Sequence, residues 1–210
     1  RPQRHARLVK LGLIESKWDL SPRDGTVPAW SKLTEKQKDE QDHMMATYAA
    51  MIDCVDQNMG KIVRELKKLE VFENTLIMFN SDNGPETVHT DWMRQDHDHD
   101  AAGGYRGMKR DGWEGGHRVP FIARWPGRIP AGQVSDQLTN TTDIFATVAS
   151  VVGYKLPDDV AVDSYDMVPA MLGIQDDDDP IRPHMLTQSF RAQFQIRQGE
   201  WKYLDHMGSG

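Results

Sequence analysis

Cysteine is almost missing from this chain. Cys54 is the only one in 210 residues, so no intrachain disulfide can form. That scarcity leaves the compartment open, because many exported proteins also lack disulfides. Long apolar runs are missing too: none approaches the ~18 residues that a membrane-spanning helix needs. Positive charge is short, with 25 Lys and Arg against 32 Asp and Glu and a formal net charge of −7. This balance argues against a nucleic-acid binder held by phosphate neutralisation, although a local cluster of Arg and Lys can still receive an anionic substrate. The chain begins Arg1-Pro2-Gln3, with no initiator Met or signal peptide, and stops at Gly208-Ser209-Gly210. Both ends read as cuts in a longer polypeptide, and a processed N-terminus would read the same way.

What is present describes an ordinary soluble globular protein, 38% hydrophobic and 27% charged. The length suits one large domain, or one domain with a small appendage. Arg4 to Ile14 can form a short helix, followed by an irregular connection through Pro22, Gly25 and Pro28. Thr34-Glu35-Lys36-Gln37 fits a capping box, and a long helix should run from it to about Leu69. Its apolar positions (Met45, Tyr48, Ile52, Val55, Met59, Ile62, Leu66, Leu69) alternate in steps of three and four, which predicts one face packed on a sheet. Cys54 beside that stripe reads as a small buried filler. Asn74 to Asn80 reads as a buried strand, and residues 84–118 as a long polar loop. Val119 to Trp125 is a second strand, and Thr141-Thr142-Asp143 can cap a helix that ends at Gly153. Residues 154–182 are loop-rich, with one short helix around Tyr165 to Leu172 and an acidic run, Asp176 to Asp179, read as solvated. Three short strands close the chain: His184–Gln188, Phe194–Arg197 and Trp201–Leu204, with a turn at Gln198-Gly199-Glu200.

The chemistry gathers where the first strand ends. Asp82 and Asn83 follow it at once, and Gly84-Pro85 then turns the backbone. Adjacent carboxylate and amide oxygens are hard ligands of the kind Ca²⁺ or Mg²⁺ prefers. About 25 residues on lie Tyr105-Arg106-Gly107-Met108-Lys109 and Trp113-Glu114-Gly115-Gly116-His117-Arg118. Glycines around Lys109 leave its ammonium free to reach inward. An oxygen-bound cation and a mobile ammonium together suit a tetrahedral oxyanion such as a transferring phosphoryl or sulfuryl group. Glu114, His117 and Arg118 read as scaffold around the Gly-Gly turn, in preference to a general acid at Glu114. The run Asp96-His97-Asp98-His99-Asp100 admits three readings: a second metal site, a His at the rim of the substrate pocket, or a polar loop facing water.

Ser81-Asp82-Asn83-Gly84, then Arg106-Gly107-Met108-Lys109, then Glu114 through Gly127 (EGGHRVPFIARWPG) closely resembles the type I sulfatase family of the alkaline phosphatase superfamily. Tyr48 to Asp53 with Asp56 and Gly60, Thr142 to Val148, and Arg197 to Tyr203 resemble flanking segments, so the likeness runs from about residue 44 to 205. The resemblance implies an α/β fold: a mixed, mostly parallel sheet flanked by helices, with the start of a small C-terminal antiparallel subdomain. Residues 1–153 would be the C-terminal part of the catalytic domain, and 154–210 a loop-rich segment with part of that subdomain. It implies that Asp82 and Asn83 are metal ligands for Ca²⁺, in preference to Mg²⁺, and that Lys109 is a catalytic residue contacting the sulfate. His99 is implied as a substrate-side residue, because relatives carry His-Asp shortly before the Gly-Tyr-Arg-Gly segment. The implied partner is a sulfated small molecule or glycan, and the implied location periplasmic or secreted.

The family's formylglycine nucleophile arises from Cys or Ser in a Cys/Ser-x-Pro-x-Arg motif, and nothing here fits. Cys54 is followed by Val55-Asp56, and Ser21-Pro22-Arg23 has the wrong spacing. The paired Asp motif that supplies further Ca²⁺ ligands is absent as well. Both lie upstream in the family, so the chain reads as the C-terminal portion of a sulfatase whose N-terminal half is missing, inactive by itself. Two alternatives stand: a phosphodiesterase or phosphonate hydrolase of the same superfamily, which more often carries Asp-His where this chain has Asp82-Asn83, and a non-catalytic module that binds sulfated glycans.

Overall fold

The computed structural model describes residues 2–12, 14–17, 19–20, 28–97 and 99–208. Helix α1, Pro2–Lys10, stops before the expected Ile14, where Gly12 turns the backbone at φ +69°. The expected connection through Pro22 and Gly25 lies outside the described residues. Helix α2 spans Glu35–Lys68 and starts as its sequence predicts. The Thr34 hydroxyl accepts the Gln37 N–H at 3.3 Å, and Gln37 Oε1 accepts the Thr34 N–H at 2.9 Å, so two orphan donors of the first turn are satisfied reciprocally. At its far end Val71 N bonds Leu66 O (3.1 Å) and Glu70 N bonds Lys67 O (3.0 Å). This closing loop places Glu70 at φ +60°, a conformation that glycine usually takes.

The apolar stripe of α2 does not pack on a sheet. No residue of α2 is buried, and Ile52, Val55, Ile62 and Leu69 are each more than half exposed. Its main neighbour among the described residues is the 3₁₀ turn Phe72–Asn74 that follows it. Cys54 is exposed for the same reason, not buried as expected.

Strand β1, Ile77–Asn80, pairs antiparallel with β2, Phe121–Arg124, placing Phe79 opposite Ile122. The expected buried strand from Asn74 is thus shorter, and Phe79 and Ile122 are 40% and 60% exposed, because the sheet is only two strands wide. The second sheet is β3 (Met185–Gln188), β4 (Phe194–Gln198) and β5 (Trp201–Leu204), antiparallel in chain order. These are the three strands expected of the tail. Gly199-Glu200 forms the two-residue turn between β4 and β5, with Gly199 at φ +54°. Every pairing among the described residues is antiparallel, in two small sheets, and the mostly parallel sheet expected for this chain is not seen among them.

The expected long loop is also corrected: it contains helix α3, Thr87–His97, and the single turn α4, Glu114–His117. Helix α5, Asp143–Val151, ends with Gly153 at φ +72° and paired bonds from Tyr154 N to Ala149 O and from Gly153 N to Ser150 O. Its start is not closed by a threonine hydroxyl. The Ala146 N–H of its first turn donates to Ser164 Oγ at 2.9 Å, while Asp143, 1% exposed, accepts the Asn140 N–H at 2.7 Å and the Tyr165 N–H at 2.9 Å. The Arg182 guanidinium, 5% exposed, pairs with the same carboxylate and also donates to the Asp163 carbonyl. This buried ion pair ties α5, the segment before α6 (Val168–Met171) and the approach to β3 into one unit. Apolar burial is sparse by comparison, with Met93, Ala102, Ala146, Ala149, Met167 and Met185 forming the core of the described residues.

Candidate functional site

Three backbone segments interlock at the end of β1: residues 82–86, 106–111 and 113–117. Gly84 N donates to Gly116 O (2.9 Å), Lys109 N to Pro85 O (2.8 Å), and Gly115 N to Arg106 O (2.8 Å). The approach is so close that only glycine fits. A Cβ on Gly84 would lie 1.8 Å from the Gly115 oxygen, and one on Gly115 2.0 Å from the Gly107 oxygen. The motif glycines therefore let three chain segments pack main chain against main chain, in addition to shaping turns. Asp111 Oδ2 accepts the Met108 N–H at 2.9 Å and holds the loop that presents Lys109.

This knot forms one wall of a cavity of about 1070 Å³, to which Asp82, Asn83, Lys109, Arg110 and Glu114 all contribute. Asp82 is exposed and Asn83 half-buried. Asn83 Nδ2 donates to the Gly84 carbonyl at 2.8 Å, which leaves its Oδ1 available as an oxygen donor, like the Asp82 carboxylate. Their chemistry fits a hard divalent cation, but two side chains do not fill the roughly six to eight positions that calcium takes. The described residues contain no cluster of three or more acidic, His or Cys side chains around them.

Lys109 Nζ stands 3.7 Å from Glu86 Oε2, and Arg110 grips both oxygens of the same carboxylate. The Arg110 guanidinium holds the Glu86 carboxyl below the usual carboxylate range. Neither Glu86 nor Arg110 is marked by a motif in the sequence. The only signal was their placement, Glu86 three residues past Asn83 and Arg110 adjoining Lys109.

Glu114 lies at the junction with the C-terminal sheet. It accepts Arg197 Nη1 of β4 at 2.7 Å and Lys202 Nζ of β5 at 2.9 Å. His117, then Lys202 and Arg197, pull its carboxyl down to about 2 against the opposing effect of burial. An acid this strong holds no proton to donate near neutral pH, so the residue serves as a strut. His117 belongs to the same strut, its Nε2 lying 2.6 Å from Lys202 Nζ.

His99 does not line the cavity; its ring meets Tyr48 of α2 edge-on, with centroids 6.1 Å apart. The second metal site considered for residues 96–100 lies outside what is described, since Asp98 and the side chains of Asp96 and His97 are not covered. Asp100 organises its own loop, accepting the N–H groups of Ala102 (3.0 Å) and Gly104 (3.1 Å).

Residues 23–154 match the sulfatase family model, and the chain belongs to that family. Over 138 residues it is 41% identical to the N-acetylgalactosamine-6-sulfatase of Canis lupus familiaris, covering 64% of this chain and 25% of that protein. It is 32% identical over 164 residues to the N-acetylgalactosamine-6-O-sulfatase of Bacteroides thetaiotaomicron, covering 77% of this chain and 31% of that one. Among solved structures, a sulfatase from Pseudoalteromonas sp. superimposes with a TM-score of 0.60 at 34% identity, over 74% of this chain and 29% of the other. The chain thus spans about a quarter to a third of the length of these relatives. No helix among the described residues is long and apolar enough to cross a membrane.

Proposed function

We propose that the protein hydrolyses sulfate esters, with Asp82 and Asn83 as part of a Ca²⁺ site and Lys109 as the group that meets the sulfate. The observation that carries this reading is the convergence of Asp82, Asn83 and Lys109 on one cavity wall, held there by a backbone knot that tolerates only glycine. Fixed cationic and dipolar groups aimed at a developing oxyanion are a main source of catalysis, because they need no rearrangement during the reaction. The Lys109 ammonium would neutralise charge on the sulfuryl oxygens. Asp82 would help orient the nucleophile. Bound Ca²⁺ would supply Lewis-acid stabilisation of the sulfate group. The remaining ligands, the formylglycine nucleophile and the parallel part of the sheet would come from sequence outside this chain.

The names of the relatives in dog and Bacteroides point to a carbohydrate sulfate as substrate. A phosphodiesterase of the same superfamily is the competing reading, and Asn83 opposes it, because imidazole at that position would favour a transition metal. Assays of the full-length protein with an aryl sulfate and an aryl phosphodiester decide between them. Asp82→Ala and Lys109→Ala should each cost ~10²-fold or more in turnover of the sulfate. Unchanged turnover in both variants, or preference for the phosphodiester, overturns the assignment.

A further inference from the structure

Glu86 does not line the cavity, yet it touches two cations that do. Its contacts with them differ in kind. Arg110 takes both carboxylate oxygens, with Nη2–Oε2 at 3.1 Å. Such bidentate pairs are among the stronger and more directional contacts a carboxylate makes. Lys109 stands 3.7 Å away, too far for a hydrogen bond, with its side chain 38% exposed. A partly exposed pair of this geometry is weak and screened by solvent.

The carboxylate is itself anchored. Glu86 Oε1 accepts the Thr87 N–H at 3.0 Å, at the positive end of the eleven-residue helix α3. The Lys109 main chain refers to the same place: its N–H donates to Pro85 O at 2.8 Å, and its carbonyl accepts the Thr87 hydroxyl at 3.4 Å. Residues 85–87 therefore set both the backbone position and the charge environment of Lys109.

We infer that Glu86 is a positioning residue that, anchored by Arg110, holds the Lys109 ammonium at the cavity wall on a contact weak enough for a sulfate oxyanion to displace. When Lys109 turns to the anion, Arg110 keeps the Glu86 charge compensated, so the exchange leaves no unpaired carboxylate behind. The inference rests on the sulfate-ester reading for the identity of the anion.

A double-mutant cycle tests it in the full-length protein. Glu86→Gln, Lys109→Ala and the double variant are compared in kcat on an aryl sulfate and, by calorimetry, in binding of inorganic sulfate. Glu86→Gln should lower kcat roughly tenfold in the wild-type background and less than about twofold once Lys109 is gone, because coupled residues do not add. Glu86→Asp keeps the charge but shortens the arm; it goes through the same cycle and replaces Glu86→Gln should that variant not fold. An equal factor in both backgrounds, or none in either, overturns the inference. A wild-type protein that hydrolyses no sulfate ester refutes the reaction, and the calorimetric cycle then judges the positioning role by the same criterion. Failure of the wild type to bind sulfate at all overturns both.

Discussion

Glu114 Oε1 accepts a hydrogen bond from Lys202 Nζ at 2.9 Å, joining the glycine turn beside the cavity to a strand 88 residues further along the chain. Because the Glu114 carboxyl is held at about 2, below its ordinary 4.5, the folded state keeps it ionised where the unfolded chain would bind a proton. Its contribution is therefore fully present above about pH 4.5 and is lost as pH falls through 2. After allowance for solvent screening it should amount to about 2 kcal/mol. Denaturant titrations from pH 5 to pH 2 should show wild type losing that much more stability than Glu114→Gln, and parallel curves would refute it.

The glycine knot predicts a contrast between two kinds of glycine. Gly84→Ala and Gly115→Ala drive a methyl into a carbonyl oxygen that belongs to the site's own backbone. Each should destabilise by about 3 kcal/mol or more, as overpacking against an unyielding neighbour does. Gly127 has φ +70° but open space around its Cβ position. Gly127→Ala should cost only the left-handed penalty of about 1 kcal/mol. Urea midpoints of the three variants check the ranking.

The pair Asp143–Arg182 is nearly sealed from water. Removing one partner strands a buried charge, so Asp143→Ala should cost about 3–5 kcal/mol. Replacing both, as Asp143→Leu with Arg182→Met, should cost less than the sum of the single changes, because no uncompensated charge remains. Additive losses in chemical unfolding would show that the two side chains act independently.

Glu70 closes α2 at φ +60°, a conformation that costs a non-glycine residue about 1 kcal/mol. Glu70→Gly should therefore raise stability by a fraction of that amount, the remainder going to the freer unfolded chain. A lowered thermal midpoint would point to a contact of the Glu70 side chain that outweighs the strain.

Local signals in the sequence proved sufficient for several elements that local interactions make, though helix α3 escaped them. The Thr34–Gln37 box, the Gly153 stop and the three tail strands follow from propensity, capping and turn chemistry within a few residues, and each appears where it was expected. Asp82, Asn83 and Lys109 stand out in the sequence for the same kind of reason, as ligand-type or charged residues set among glycines, and all three line one cavity. The sequence alone could not tell which surfaces meet. The apolar stripe of α2 predicts a partner face but cannot supply one, and no residue of the stripe is buried. Burial of a whole face depends on strands far away in sequence, which no periodicity reports.

The sequence by itself determined the capping box of α2, the three tail strands and the family to which the chain belongs, since these rest on residue type and short spacing. Only the tertiary structure decided that Glu86 and Arg110 stand behind Lys109, that Glu114 braces the C-terminal sheet through Arg197, and that Asp143 pairs with Arg182. The physical reason is common to all three. An ion pair across 24, 83 or 39 residues forms when the fold brings its partners within about 3 Å and withdraws them partly from water. That proximity belongs to the packed chain and leaves no mark in the local pattern.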